Sequence, residues 1–178
     1  MGKVVFFDNQ NQQMDRCNGE TYYNFLDYAF QKSNYFMLVY VNYYGNGYTK
    51  AMKQYMKALE PFIIKSRTNP SWPGTLKTFC PNTTYKINFY RNTPEAKAVL
   101  KQAYCLSDWS RPSYPQDLAF FRGNQCWFYS VGHEMIGAFI HADAEDINFV
   151  VTNGLASSTD TYIPRDSYYD LFDELIEQ

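Results

Sequence analysis

Between Tyr35 and Tyr43 the chain reads Tyr-Phe-Met-Leu-Val-Tyr-Val-Asn-Tyr, a run of aromatic and β-branched residues with no polar position until Asn42. Such residues favour a pleated, packed surface. Successive strand residues point to opposite faces, so a strand apolar at every position needs cover on both. The run therefore predicts a central strand, and it demands neighbouring strands and a layer on each face. Gly45-Asn46-Gly47 ends it. The chain has 178 residues, enough to bury roughly 70% of its unfolded surface without a metal or disulfide. It is 46% hydrophobic and 19% charged, which excludes a wholly disordered chain. Seventeen Tyr, 14 Phe and three Trp supply the core material.

Around that strand the other elements read as follows. Val4–Phe7 is a short strand and Asp8 to Gly19 a polar loop. Glu20 to Lys32 is a helix with Tyr22, Leu26, Ala29 and Phe30 on one stripe. A second helix runs to about Leu59. Its apolar stripe is Tyr48, Met52, Tyr55, Met56 and Leu59; Lys50, Lys53 and Lys57 form a basic stripe. Phe62-Ile63-Ile64, after Pro61, extends it by a turn. Thr68 to Thr75 holds two Pro, one Gly and Trp72, and is irregular. Thr84 to Tyr90 alternates Tyr85, Ile87 and Phe89 against Lys86, Asn88 and Tyr90, the pattern of a half-exposed strand. Thr93-Pro94-Glu95 starts a helix with Ala96, Val99, Leu100 and Ala103 inward. Ser107 to Pro115 is a loop around Trp109. Leu118–Phe121, Gln125–Val131 and Met135–His141 are three strands joined by tight turns, an antiparallel meander. Asp143 and Glu145 open a helix with Ile147, Val150 and Val151 buried, which Asn153-Gly154 stops. Leu155 to Pro164 is polar loop, and Asp166 to Glu177 a final amphipathic helix. Helices and strands mix without strict alternation, which predicts one α+β domain over residues 1–178, with helices on a mixed or mostly antiparallel sheet.

Charge is unevenly laid out. Tyr48 to Lys101 carries ten Lys or Arg against two acids, a net of +8. Ala142 to Gln178 carries nine acids against Arg165, a net of −8. Either the acidic end covers the basic middle, or the two serve different partners. No apolar run approaches the ~18 residues of a membrane span. Cys17, Cys80, Cys105 and Cys126 form no C-x-x-C motif, and no secretory signal is legible, so the expectation is four reduced thiols in a cytoplasmic protein.

Catalytic motifs are absent: no phosphate-binding glycine loop, no G-x-S-x-G and no H-E-x-x-H. His133 and His141, if on one unbroken strand, stand roughly 26 Å apart, so no metal or cofactor is expected. His133-Glu134 at a turn is the strongest acid–base candidate. Cys126 is a possible thiolate partner for His133, or a buried inert thiol. Trp72 either plugs a core edge or lines a binding surface. Trp127 and Tyr129, read on one strand face with Val131, are core or an aromatic patch.

Pro115, Asp117, Phe120, Phe121, Cys126, Trp127, Tyr129, Ser130, His133 and Glu134 make a pattern P-x-D, aromatic pair, C-W-x-Y-S, H-E. This stretch of about twenty residues resembles one in a family of small uncharacterised proteins of Gram-positive bacteria. The resemblance implies a bacterial cytoplasmic α+β protein and brings no activity with it. Asp117 joins the catalytic candidates. The leading functional expectation is a non-enzymatic protein-interaction or regulatory module, of antitoxin or immunity type, with a protein partner and no membrane. Its surface candidates are Trp72, Trp127, Tyr129, Lys50, Lys53 and Lys57. The alternatives are a small enzyme built on His133 and Glu134, and nucleic-acid binding through Lys50, Lys53, Lys57, Lys97 and Lys101.

Overall fold

A computed structural model describes residues 3–7, 16–76, 79–123 and 125–160, the last five by backbone alone. The described chain is α+β. Its strands are β1 (Lys3–Phe7), β2 (Tyr35–Asn42), β3 (Ile63–Thr68), β4 (Thr84–Arg91), β5 (Gln116–Arg122), β6 (Gln125–Val131), β7 (Ile136–Ala142) and β8 (Ala156–Asp160). They form one sheet in the order β3-β4-β2-β5-β6-β7-β1-β8, every ladder antiparallel. The helices are α1 (Gly19–Lys32), α2 (Lys50–Leu59), α3 (Pro94–Leu100) and α4 (Ala144–Thr152).

The aromatic run is β2, flanked by β4 and β5 and covered on both faces. Phe36, Leu38 and Tyr40 enter a core shared with the helices, which contribute Tyr22, Phe25, Met52, Leu59, Leu100 and Val150. Met37, Val39 and Val41 enter a second core on the opposite face, with Trp72, Ile87, Phe89, Ala119, Phe121 and Ile140. No described α-helix contributes to that second core.

The helix starts follow their caps. The Thr93 hydroxyl accepts from the Ala96 amide at 3.1 Å, with Pro94 at the first helical position. Asp143 and Asp146 cap α4 reciprocally. α3 and the meander stand where the sequence predicts them.

Several expectations are corrected. Phe62 closes a 3-10 turn, but Ile63 begins the edge strand β3. Ala156–Asp160 is strand β8, not loop. Asn88 and Tyr90 are buried rather than outward, because the helix layer extends over β4. There the Ser66 hydroxyl donates to Asn88 Oδ1 at 2.7 Å and Asn88 Nδ2 donates to Tyr90 Oη at 3.1 Å, while the Tyr40 and Tyr90 hydroxyls pair at 2.7 Å. Val151 is exposed, and Phe25 replaces Phe30 among the fully buried residues of α1. Trp127 and Tyr129 lie on opposite faces. A bulge between Phe120/Phe121 and Phe128/Cys126 inserts Trp127, which turns into the helix-side core while Tyr129 enters the second core. The predicted helix at Asp166 to Glu177 and most of the Asp8–Gly19 loop lie outside the described residues.

One end of the sheet is an ionic hub. Asp146 is fully buried. Its Oδ1 accepts from Tyr28 Oη at 2.7 Å and Arg122 Nη2 at 3.0 Å, and its Oδ2 from Trp127 Nε1 and the Asp143 amide, both at 3.0 Å. The Arg122 guanidinium lies 4.0 Å from the Trp127 ring centre. Glu145 pairs with Lys32. In the basic middle, Lys97 and Lys101 pair with Asp27 of α1 at 2.7 and 2.9 Å. These α4 acids therefore meet Lys32 and Arg122, which lie outside the basic middle.

Candidate functional site

β2 runs antiparallel to β4 and β5, and these to β3 and β6. Antiparallel pairing collects the end of β2, the starts of β4 and β5, and the ends of β3 and β6 at the end of the sheet opposite the hub. The connecting residues Tyr43–Gly47, 69–76, 79–83 and Gly132–Met135 lie there, with the 107–115 segment leading into β5. Four of the five described non-glycine residues with left-handed backbone stand at this end: Tyr44, Asn82, Asp117 and Met135, at φ between 53° and 58°. Each such residue costs about 1–2 kcal/mol, and this kind of strain gathers at functional ends of folds.

Asp117 is the buried polar centre of this end. It occupies a bulge, since Met37 pairs with Ala119 and Val39 with Gln116. The bulge aims the carboxylate inward. Oδ2 accepts from Trp72 Nε1 at 2.7 Å and from the Thr75 hydroxyl at 3.4 Å; Oδ1 accepts from the Gly132 amide at 3.0 Å. Burial pushes the carboxyl up to about 6, against the lowering effect of those donors and of His133. Gly132 has no room for a side chain, because a Cβ would lie 2.1 Å from the Trp109 carbonyl oxygen. That same oxygen accepts from the Asp117 amide at 3.1 Å.

The other nominated catalytic residues do not converge on Asp117. His133 and Glu134 occupy the 3-10 turn after β6. Their side chains are 61% and 57% exposed, with Nε2 3.6 Å from Oε1. Cys126 is at the opposite end of β6, buried, its thiol donating to the Phe128 carbonyl at 3.3 Å. Burial pushes that thiol far up. The two His do not share one unbroken strand: His133 precedes β7, whose own bulge holds His141 in a left-handed conformation at φ 54°. Among the described residues no three metal-ligating side chains cluster, and no disulfide joins the four cysteines.

The nominated binding residues divide. Trp72 is the core plug, 2% exposed, its ring 5.2 Å from that of Tyr85. Trp127 and Tyr129 are buried as well, so none of the three offers a face to a partner in this structure. Lys50, Lys53 and Lys57 line the exposed side of α2.

The exposed apolar side chains of this end were not legible as such. Phe79 is 91% exposed, Leu76 73% and Tyr44 62%. The Tyr44 amide donates to the hydroxyl of Thr83, which lines the same groove as Phe79, at 3.1 Å. Leu76 follows Thr75, which the Asp117 contact holds. Phe79, Cys80, Asn82, Thr68, Pro70 and Tyr85 line an open groove of about 650 Å³. The Arg111 guanidinium lies 4.0 Å from the ring centre of Tyr43, the neighbour of Tyr44. The arrangement presents apolar contact area and positive charge. It holds no nucleophile hydrogen-bonded to a base among the described residues. Comparison with family models, curated proteins and solved structures returns no match.

Proposed function

We propose that the chain is a protein-interaction module whose loop end, through Leu76, Phe79 and Tyr44, docks an acidic segment carrying apolar anchors. One observation carries the reading. Of six exposed large hydrophobic residues described, three, Tyr44, Leu76 and Phe79, belong to the connections at this end. Singly scattered apolar residues need no explanation, whereas grouped ones mark contact sites. The choice of an acidic partner follows from charge: the stretch that supplies Leu76 and Phe79 carries the net of +8, and Arg111 stacks on Tyr43, the neighbour of Tyr44. Such a module regulates or neutralises its partner, as antitoxin- and immunity-type proteins do, and four cysteines joined by no disulfide fit a reducing compartment such as the cytoplasm. The enzymatic alternative lacks comparable support, since His133 and Glu134 project from an open turn. For nucleic acid, Lys97 and Lys101 are already engaged by Asp27.

The test is selection of a displayed random peptide library on the full chain. The reading expects enrichment of acidic peptides with aromatic or aliphatic anchors, and binding lost in Leu76→Ser/Phe79→Ser but kept in His133→Ala. No enrichment, or equal binding by the double variant, contradicts it.

A further inference from the structure

Among the described strands β3 ends the sheet and pairs with β4 alone. In an antiparallel ladder alternate residues turn both backbone groups toward the same neighbour. The Asn69 amide donates to the Tyr85 carbonyl at 3.1 Å, which continues the register Arg67↔Ile87 and Thr68↔Lys86. Asn69 and Tyr85 are thus a hydrogen-bonded pair, and so are Arg67 and Ile87, and Lys65 and Phe89. Across β4 the Asn92 amide donates to the Asn34 carbonyl at 3.2 Å, in register with Leu38↔Asn88. The even-numbered residues of β4 therefore face β2 and the odd-numbered ones face β3, which gives the same assignment. The N–H and C=O groups of Ser66 and Thr68 consequently point away from the sheet, and both residues are exposed.

This edge is charged and irregular. Lys65 and Arg67 stand on its second-core face, opposite Phe89 and Ile87, and Lys86 stands opposite Thr68. The register shifts between Ile63 and Lys65. Lysines and bulges are how edge strands resist pairing with copies of themselves. Two copies joined edge to edge around Ser66 set Lys65 of one against Arg67 of the other, and like charges directly opposite are destabilising. The same positions favour a strand with acids at alternate residues. At the end of this edge Thr68 lines the groove that also holds Phe79.

We propose that the acidic partner binds as an added strand on β3. Its extended backbone pairs with Ser66 and Thr68, its alternate acids lie opposite Lys65 and Arg67, and its apolar anchor enters the adjoining groove at Phe79. This inference rests on the docking reading above and gives it a binding mode. In strand addition main-chain bonds supply affinity and alternate side chains supply specificity. Two outward residues make a short ladder, so the anchor and the charges add to it.

The experiment is NMR amide exchange of the full chain, free and saturated with an acidic peptide enriched from the displayed library, together with that peptide's affinity for two variants. In the free chain Ser66 and Thr68 exchange faster than Lys65 and Arg67 at every protein concentration. Saturation slows Ser66 and Thr68 by about tenfold or more, and by more than Lys65 and Arg67. Ser66→Pro removes an outward amide without costing a ladder bond, and weakens the peptide about tenfold. Ser66→Ala removes only the hydroxyl bonded to Asn88 and leaves the affinity unchanged. A peptide that binds without protecting Ser66 and Thr68, or that binds Ser66→Pro as tightly as the parent, overturns strand addition and leaves the docking reading standing. No enriched peptide overturns both. Protection of Ser66 and Thr68 in the free chain also overturns the proposal: if it grows with concentration a second copy occupies the edge, and if it does not a segment of the same chain does. Should Ser66→Pro not fold, the exchange of the unaltered chain decides.

Discussion

Replacing Asp146 by Ala tests how the hub end of the sheet is held. The carboxylate accepts from Tyr28, Arg122, Trp127 and the Asp143 backbone, which belong to α1, β5, β6 and the α4 cap. The Trp127 indole is buried and loses its acceptor, at about 1–3 kcal/mol. The reciprocal cap of α4 is lost, at about 1 kcal/mol. The Arg122 side chain is 29% exposed and Tyr28 half-buried, so water rehydrates both and their losses stay near 1 kcal/mol each. The total is about 4–6 kcal/mol, a large part of a typical stability of roughly 5–15 kcal/mol. Asp146→Asn keeps one oxygen and loses about half of this; Tyr28→Phe loses about 1 kcal/mol. Urea denaturation followed by circular dichroism measures the series, with unchanged m values as the check on two-state behaviour. A loss below about 1 kcal/mol for Asp146→Ala, or an Asn variant as damaging as the Ala variant, refutes the reasoning.

Three further outcomes follow from local geometry. Tyr90→Phe strips the acceptor from buried Asn88 and costs about 1–3 kcal/mol, more than Tyr40→Phe, which leaves the Asn88–Tyr90 bond intact; denaturant midpoints compare them. Gly74→Ala combines a left-handed φ of 83° with a clash at Tyr129. Its melting temperature therefore falls further than that of Gly47→Ala, which has the same φ and open space around it. In the native chain Cys126 resists iodoacetamide, because burial holds its thiol protonated, while half-buried Cys80 reacts; peptide mass mapping before and after unfolding distinguishes them.

What the sequence made legible follows from where packing dictates residue type. β2 is apolar on both faces because both faces are covered, and the meander is punctuated by turn residues. β3 and β8 escaped because they are edge strands. Lys65-Ser66-Arg67-Thr68 and Ala156-Ser-Ser-Thr-Asp160 carry little apolar pattern, and backbone pairing with β4 and β1 defines them. Asn88 read as outward because a buried amide is betrayed only by its partners, Ser66 and Tyr90, which other spacings hide. Trp127 was misplaced because one bulge reverses every later face assignment. At the loop end, Asp117 was nominated, but Trp72 and Gly132 reach it from 45 and 15 residues away in the chain. Leu76 and Phe79 carried no sequence signal, since exposure of an apolar residue is a property of the fold. The D-x-x-D spacing of Asp143 and Asp146 was available as a capping signal for the hub.

The central claim is that the sheet has a stabilising end and a binding end. Hydrogen–deuterium exchange of the full chain, with and without the peptide enriched from the displayed library, locates the contact. The account predicts new protection confined to residues 43–47, 66–76 and 79–85. Protection centred instead on the exposed lysine side of α2, or on the α1–α4 surface around Tyr28 and Phe149, would contradict it.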